Sequence, residues 1–258
     1  MSKRVPSYAL DPVKAFINYL DASGKLLHLS MRAIAMTRAM PQMVEAIATA
    51  SRGDSDWDEQ RHVVGLEKAK NDAEFAKNEC DTGFSLLHEF TLVGTWGAFE
   101  VAIEDLVVGV LCNEPQLLRA EPFAKIRIPL AEFEILDNEG RMRILLRELQ
   151  RTLRSDQRNG VGAFEAILGA VGLSGEVKKD CRERIWEMNH IRNAVVHRRS
   201  RADRTFIGAC PKLGLNIGDQ ISITHNQLGE YAGALAGYAT EIVYRMGARY
   251  GVEMSPRS

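Results

Sequence analysis

The sequence has little cysteine and no excess of either charge, and each shortage excludes a class of protein. Its 258 residues include four cysteines, which lie far apart and lack the C-x-x-C or Cys/His spacing of a zinc module. We therefore expect reduced, packed thiols and no metal ion. The 33 lysines and arginines nearly balance the 34 aspartates and glutamates, which gives a formal net charge of −1. This balance excludes a polycationic protein that coats nucleic acid or anionic membrane.

Long apolar runs and cofactor motifs are also missing. The most apolar stretch, residues 92–112, is interrupted by Glu100, Glu104 and Asp105, whose burial in hydrocarbon would be costly, so it predicts a core helix and not a membrane span. Residues 1–10 lack the apolar segment of a signal peptide, and we expect a cytoplasmic protein. The sequence contains no P-loop, no dinucleotide-binding glycine motif and no nucleophile elbow. We therefore expect no cofactor.

What the chain does have is apolar residues at helical spacing. With 45% hydrophobic and 26% charged residues it can bury a core, and we predict an all-α bundle. The strongest pattern covers residues 82–111, which are apolar on nearly every side and predict the central helix. Other helices are predicted from Asp11 to about residue 50, with breaks at Ser23-Gly24 and Pro41, and over residues 57–77, 139–154, 163–171, 174–197 and 226–250.

Two features subdivide this helical pattern. The polar run 51–56 predicts a loop and a domain boundary, so that residues 1–56 form an N-terminal helical extension and residues 57–258 form the main helical domain. Near the C-terminus, Ile221 and Ile223 alternate with polar residues within residues 218–224. This alternation predicts one short strand or hairpin arm before the last helix.

The helix predicted to end near His197 carries an unusual polar face. On a wheel of about 100° per residue, Met188 marks the apolar side. The opposite side carries Trp186, His190, Asn193 and His197 where lysine and glutamate would be usual. A stripe of this kind is typical of a surface that meets a second subunit or a ligand. Trp186 then packs either at an interface or within the bundle, and we expect His190 to be a structural hydrogen-bonding residue.

Arg192 does not follow that division of faces. It lies about 40° from Met188 on the same wheel, on the core side. A guanidinium buried there needs a partner, and Glu100 and Glu104 of the central helix are the natural ones. Two alternatives remain open at this point. Arg192 is an internal strut without a catalytic role, or the helix distorts before His197 and turns Arg192 toward a cleft.

Residues 186–199 read W-E-M-N-H-I-R-N-A-V-V-H-R-R and resemble the R-N-x-x-x-H signature of the HEPN superfamily. This superfamily consists of all-helical domains, many of which are metal-independent ribonucleases. Arg192 and His197 are the Arg and His of the signature. The pair Arg184 and His190 also has a permitted spacing, but no Asn follows Arg184. The resemblance covers about residues 82–250, so we expect an HEPN-like bundle with the extension described above.

The resemblance implies a homodimer in which two copies of the motif form one composite site for an RNA substrate. His197 would be the general base or acid, Arg192 a ligand of the phosphate or transition state, and Asn193 the residue that orients the imidazole or binds phosphate. Cleavage without a metal would leave a 2′,3′-cyclic phosphate. The implied role is that of a toxin or phage-defence effector, with an antitoxin or regulatory protein as a further partner.

The arginines that follow the motif have two explanations. Arg198, Arg199 and Arg201 form either a phosphate-binding rim or the solvated end of a helix. Residues 182–204 contain seven arginines and three acidic residues, a net charge of +4, so the rest of the chain carries −5. Such a local basic segment favours capture of a single phosphodiester. Two other hypotheses remain: a non-catalytic HEPN module that binds a protein, RNA or nucleotide, and a helical scaffold in which the motif match is accidental.

Overall fold

The computed structural model describes residues 4–53, 57–152 and 160–253, and these residues form a helical bundle without a strand. The all-α prediction is confirmed in these ranges. Short 3₁₀ turns at Pro115–Arg119, Phe123–Lys125 and Pro211–Leu213 connect some of the helices. In chain order the α-helices are α1 Ser7–Thr37, α2 Met40–Ser51, α3 Glu59–Asp81, α4 Ser85–Asn113, α5 Leu130–Glu134, α6 Asn138–Thr152, α7 Gly160–Ala170, α8 Lys179–Arg198, α9 Arg204–Ala209 and α10 His225–Tyr250.

The helix α4 lies at the centre of the bundle, as its all-round apolar sequence predicts. It packs against α1, α6, α7, α8 and α10. Leu92, Leu106 and Val110 are completely buried in it, at 0% exposure. A helix that is apolar on every side is stable in water only when other helices cover it. α4 therefore forms the support on which α8, the helix with the motif, is mounted.

α1 is longer and less interrupted than the sequence predicts. It begins at Ser7, four residues before Asp11, and runs through Ser23-Gly24 without a break. Pro12 lies inside it and has no N–H for the Tyr8 carbonyl. That carbonyl lies against Gly109 of α4, where a Cβ atom would come within 2.5 Å of it. Close packing against α4 therefore holds the first turn of α1 despite the proline.

The predicted domain boundary at residue 56 lies outside the described residues. On its N-terminal side, Ala9, Val13 and Phe16 of α1 are buried in the same apolar core as α4. The ring of Phe16 meets that of Phe99 at 4.9 Å between centroids. The division into residues 1–56 and 57–258 stays a prediction.

The predicted strand at residues 218–224 is not present in the described chain. Instead, a single antiparallel bridge joins Arg201 and Gln220. Next to it, Ile221 N–H donates to the Ser200 carbonyl at 2.7 Å and Ala202 N–H donates to the Asp219 carbonyl at 2.9 Å. The pairing stops there because α9 begins at Arg204 and removes the partner segment. Ile221 and Ile223 are nevertheless both buried, as their alternation indicated.

Three histidines from three helices meet at one end of the bundle. The ring of His225, at the start of α10, lies 5.4 Å from that of His28 on α1 and 5.6 Å from that of His88 on α4. His88 is completely buried, and its Nδ1 lies 2.9 Å from the Ile223 carbonyl oxygen. Its Nε2 has no hydrogen-bond partner within the described residues. Burial therefore lowers the pKa of His88, aided by the charge of His225 and opposed by the Ile223 hydrogen bond and by Glu79.

This lowered pKa makes the protein less stable in acid. An unfolded chain binds a proton at His88 near its ordinary pKa of about 6.5, whereas the folded chain binds it only at lower pH. The free energy of unfolding therefore includes the full contribution of neutral His88 above about pH 6.5 and loses it as the pH falls below this value. The loss is at most about 1.4 kcal/mol per pH unit. We expect urea unfolding to give a smaller free energy at pH 5.5 than at pH 7.5.

The matched control for this prediction is His88→Asn, whose amide can still donate to Ile223 but does not titrate. Glu89 and Glu100 have pKa values raised by burial, so their protonation in acid favours the folded state and opposes the histidine effect. Both proteins contain these carboxylates, so their effect cancels when the acid-induced change in the free energy of unfolding is compared between wild type and variant. An equal loss of stability in acid for both proteins would contradict the role given to His88.

Candidate active site

Both ends of α8 are fixed by contacts with other helices. The predicted start of this helix at residue 174, where Ser174 would be the N-cap, is wrong, because α8 begins at Lys179 and residues 174–178 are not helical. Glu165 accepts a hydrogen bond from Gly175 N–H at 2.8 Å, and Arg245 donates to the Glu176 carbonyl at 3.0 Å. These contacts bind the segment to α7 and α10 in a non-helical form. The segment therefore cannot supply the first turn of α8.

At the other end, the helix stops just after the motif. Arg199 and Ser200 have φ values of 54° and 57°, in the left-handed region that residues other than glycine rarely adopt. The buried Ser200 hydroxyl donates to Glu89 of α4 at 2.7 Å. Burial raises the pKa of Glu89, while the Ser200 hydrogen bond lowers it. The Glu89 contact thus holds a strained helix end directly beside His197 and Arg198.

Arg192 lies between α8 and α4. Its Nη2 is 3.6 Å from Glu100 Oε2, and the two side chains are 28% and 41% exposed. Its Nη1 donates to Asn193 Oδ1 at 3.0 Å. Burial raises the pKa of Glu100, an effect opposed by the Trp96 indole and by Arg192. Of the two predicted partners, the structure therefore brings Glu100 to Arg192, whereas Glu104 accepts a hydrogen bond from Gln150 at 3.0 Å.

His197 lies exposed at the C-terminal end of α8, at the edge of a pocket of about 390 Å³. The pocket lies between α8 and the start of α9, and its lining includes His190, Asn193 and His197. Asn193 therefore links the two parts of the motif, since it accepts a hydrogen bond from Arg192 and lines the same pocket as His197. Within the described residues, His197 has no hydrogen bond or ion pair. Its imidazole is free to meet a ligand.

His190 lines the same pocket about two turns before His197 on α8. It is half-buried, and burial lowers its pKa while the charge of Asp203 raises it. Its Nε2 is buried without a hydrogen-bond partner in the described part of the chain. His190 was predicted to make a structural hydrogen bond, but its Nε2 makes none with a described residue. A polar ligand in the pocket can supply the missing partner of Nε2.

The three arginines predicted as a phosphate rim differ in their surroundings. Arg198 pairs with Asp203 at 3.3 Å, and Arg201 donates to the Gly218 carbonyl at 2.9 Å. The exposed guanidinium of Arg199 has no such partner among the described residues. Among these three arginines, Arg199 can therefore bind a phosphate without first losing a contact with a described residue.

Residues of α9 complete the pocket, and the sequence did not identify them as part of a site. Asp203 caps α9 by accepting from Phe206 N–H at 2.8 Å, and it also pairs with Arg198. The Phe206 amide and Arg198 together hold the pKa of Asp203 below its usual value. Asp203 three residues before Phe206 is an N-cap pattern, so the helix start was visible in the sequence. Its position opposite His197 depends on the fold and was not.

Trp186 occupies the other end of the polar stripe. Its indole N–H donates to the Ala209 carbonyl at 3.1 Å, and its ring lies 4.6 Å from that of His190. Gly160, with φ of 55°, approaches its backbone so closely that a Cβ atom would lie 3.3 Å from the Trp186 Cα. Part of Trp186 is thus covered by the same chain. The remainder faces a second pocket between α8 and residues 209–212.

The described residues contain neither a cluster of metal ligands nor a membrane-spanning helix. No group of three or more His, Cys, Asp or Glu side chains there is arranged to hold a metal ion. None of the described helices has both the length and the apolar character needed to cross a membrane. Comparisons with protein-family models, with curated proteins and with solved structures found no match to this chain.

Proposed function

We propose that the chain is a metal-independent endoribonuclease of the HEPN type that acts as a homodimer. One observation carries the proposal. Asn193 accepts a hydrogen bond from Arg192 and lines the same open pocket as His197. A fixed cation, an amide and a free imidazole are the groups that phosphodiester cleavage without a metal requires.

The proposed reaction follows from the chemistry of these groups. The RNA 2′-oxygen attacks phosphorus, the bond to the 5′-oxygen breaks, and a 2′,3′-cyclic phosphate forms. One His197 imidazole accepts the 2′-OH proton, and a second imidazole, protonated, gives a proton to the leaving 5′-oxygen. Arg192 donates to the non-bridging oxygens as their charge grows. Since its pair with Glu100 is long and partly exposed, a phosphate can compete for its guanidinium.

The two proton transfers support a homodimer. Each chain supplies one His197, so a second copy provides the second imidazole. Two contacts, Ser200 with Glu89 and Arg192 with Glu100, show that α8 runs antiparallel to α4. Three apolar side chains on these two helices are exposed: Phe90 at 67% and Val101 at 55% on α4, and Val196 at 47% on α8, directly before His197. A second copy that buries Val196 would bring the two His197 side chains together. The further partners proposed are an antitoxin or regulatory protein, as for a toxin or phage-defence effector.

The test is RNA decay in the absence of divalent metal. Wild-type protein in EDTA is expected to degrade total RNA and to leave ends carrying 2′,3′-cyclic phosphate. A His197→Ala protein purified in the same way is the control and should leave the RNA intact. Equal decay by both proteins would identify a contaminating nuclease. An inactive protein that is a monomer by light scattering would contradict the composite site.

A second candidate function is a non-catalytic HEPN module that binds RNA, a nucleotide or a protein. The observation that favours it is the double engagement of Arg192, which both Glu100 and Asn193 contact. In that case Arg192 orders the surface and does not act on a substrate. A dimer that binds labelled RNA without cutting it, in EDTA or in magnesium, would support this function in place of the nuclease.

A further inference from the structure

A second pocket lies beside the motif, at the Trp186 end of α8. Its volume is about 370 Å³, within the range of pockets that bind small organic groups. One wall is formed by α8, with Glu183, Trp186 and Glu187. The other is formed by Ala209, the last residue of α9, and by Pro211 and Lys212, which follow it. The pocket combines an aromatic ring with a proline ring and a lysine stem, all of which pack well against a flat ligand.

This pocket adjoins the one that contains His197. Trp186 lines the first pocket and His190 the second, and their rings are 4.6 Å apart. Trp186 and His197 are separated by about 16 Å along the helix axis, at 1.5 Å per residue. A stacked strand rises about 3.4 Å per nucleotide, so no more than about five nucleotides separate the two positions. A single RNA strand can therefore occupy both pockets at once.

We propose that the Trp186 pocket is a nucleobase subsite that stacks one base of a single-stranded RNA substrate near the scissile bond. The inference rests on the proposed function, because it takes RNA as the ligand. The indole is fixed for this task by its hydrogen bond to Ala209 and by the close contact of Gly160. A ring that is already ordered loses little entropy when a base stacks on it. Stacking tolerates every base, since each has an aromatic face.

The rim of the pocket adds a preference among the bases. Lys212 donates to Glu183 at 2.7 Å, and this contact lowers the pKa of Glu183, so the carboxylate is ionised near neutral pH. A carboxylate accepts hydrogen bonds from the exocyclic amino group of cytosine, which uracil lacks. The neighbouring Cys210 does not take part in covalent chemistry, because burial raises the pKa of its thiol to about 12. The pocket therefore binds and selects, while the motif carries the reaction.

The test uses Trp186 fluorescence in a protein that cannot cut RNA. The chain has three tryptophans, of which Trp96 is buried at 2% exposure and Trp57 can be replaced by phenylalanine. In Trp57→Phe/His197→Ala protein, hexacytidylate is expected to quench the emission in a saturable manner. Addition of Trp186→Phe should remove that quenching. Hexauridylate should bind more weakly, and equal binding of the two oligomers would overturn the role of Glu183.

Affinity measurements give the size of the effect. Loss of one base–aromatic stack corresponds to about 5- to 150-fold weaker binding. We expect a loss in this range for labelled hexacytidylate with Trp186→Ala and a smaller loss with Trp186→Phe, which keeps an aromatic ring. If Trp186→Ala does not fold, Ala209→Phe fills the pocket from the opposite wall and keeps the backbone carbonyl that binds the indole. It should weaken binding to the same degree.

The experiments test the Trp186 subsite and the nuclease activity separately. Saturable quenching in the His197→Ala background, together with no RNA cleavage by the wild-type protein, would support the subsite and contradict the nuclease. Normal cleavage by wild type, with no quenching and with an unchanged KM in Trp186→Ala and Ala209→Phe, would overturn the subsite and leave the nuclease intact.

Discussion

Replacement of Arg192 by alanine is expected to lower the rate of RNA cleavage by about 10²- to 10³-fold, the usual effect of removing one fixed donor to a developing charge. The loss should appear in kcat more than in KM, because the phosphorane carries more charge than the bound substrate. Folding should change little. The pair with Glu100 is partly exposed, and pairs of this kind contribute about 0–1 kcal/mol. Single-turnover cleavage of a short labelled RNA in EDTA measures the effect.

The chain offers a matched control for this prediction. Arg184 lies on the same helix, also has a permitted spacing with His190, and pairs with Glu230 of α10 away from the motif. Arg184→Ala removes the same charge and should retain the wild-type rate. Arg192→Lys keeps the charge without the two-pronged guanidinium and should fall between the two. If Arg192→Ala cleaves normally while His197→Ala is inactive, Arg192 is a structural strut, as the sequence also allowed.

Much of the fold could be predicted because the helices have strong local patterns. The apolar surface of residues 82–111 required a central position, and α4 has it. The polar stripe from Trp186 to His197 predicted a surface that meets a second subunit or a ligand, and in the structure its residues line two pockets. The pairing of Arg192 with Glu100 followed from a helical wheel and the cost of an unpaired buried charge. In each case a period of about 3.6 residues determined which face was buried.

The parts that sequence reasoning missed depend on contacts between distant segments. Ser174 looks like an N-cap in isolation, but contacts with α7 and α10 hold its segment outside the helix. Glu104 is one turn from Glu100, yet it faces Gln150 of α6 and not α8. The expected strand lost its partner because Asp203 starts α9 three residues after Ser200. No local pattern contains the first two relations, since each one is decided by an element elsewhere in the chain. The third begins with a local N-cap at Asp203, but its effect on the strand depends on the pairing of residues 200–202 with residues 219–221.

One carboxylate that positions the segment before α8 also makes contacts of this long-range kind. Glu165 of α7 accepts from Arg245 at 2.6 Å and from the Tyr238 hydroxyl at 2.5 Å, both on α10. The same carboxylate binds Gly175 N–H in the segment that leads into α8. The Arg245 and Glu165 side chains are only 14% and 18% exposed. Burial and this carboxylate together raise the pKa of Tyr238, which therefore stays a hydroxyl donor.

We expect Glu165→Ala to lower the free energy of unfolding by about 3–5 kcal/mol, the usual cost of removing one partner of a buried ion pair. The substitution leaves the Arg245 guanidinium nearly buried without its anion and frees the segment before α8. Glu165→Gln retains the acceptor oxygen for Tyr238 and should lose less. Urea unfolding followed by circular dichroism measures all three proteins. Since the start of α8 loosens, RNA cleavage by the alanine variant should also fall at temperatures where it is still folded.

The exposed pair of Lys25 and Asp21 on α1 is the control for burial. Its side chains are 72% and 64% exposed, so Asp21→Ala should cost only about 0.5 kcal/mol. A loss of similar size for Glu165→Ala would mean that Arg245 finds other acceptors, such as the Leu173 carbonyl that it already contacts at 3.2 Å. The carboxylate would then be dispensable for the position of α8. A large loss that Glu165→Gln shares in full would assign the stability to the charge of Glu165 and not to its hydrogen bond with Tyr238.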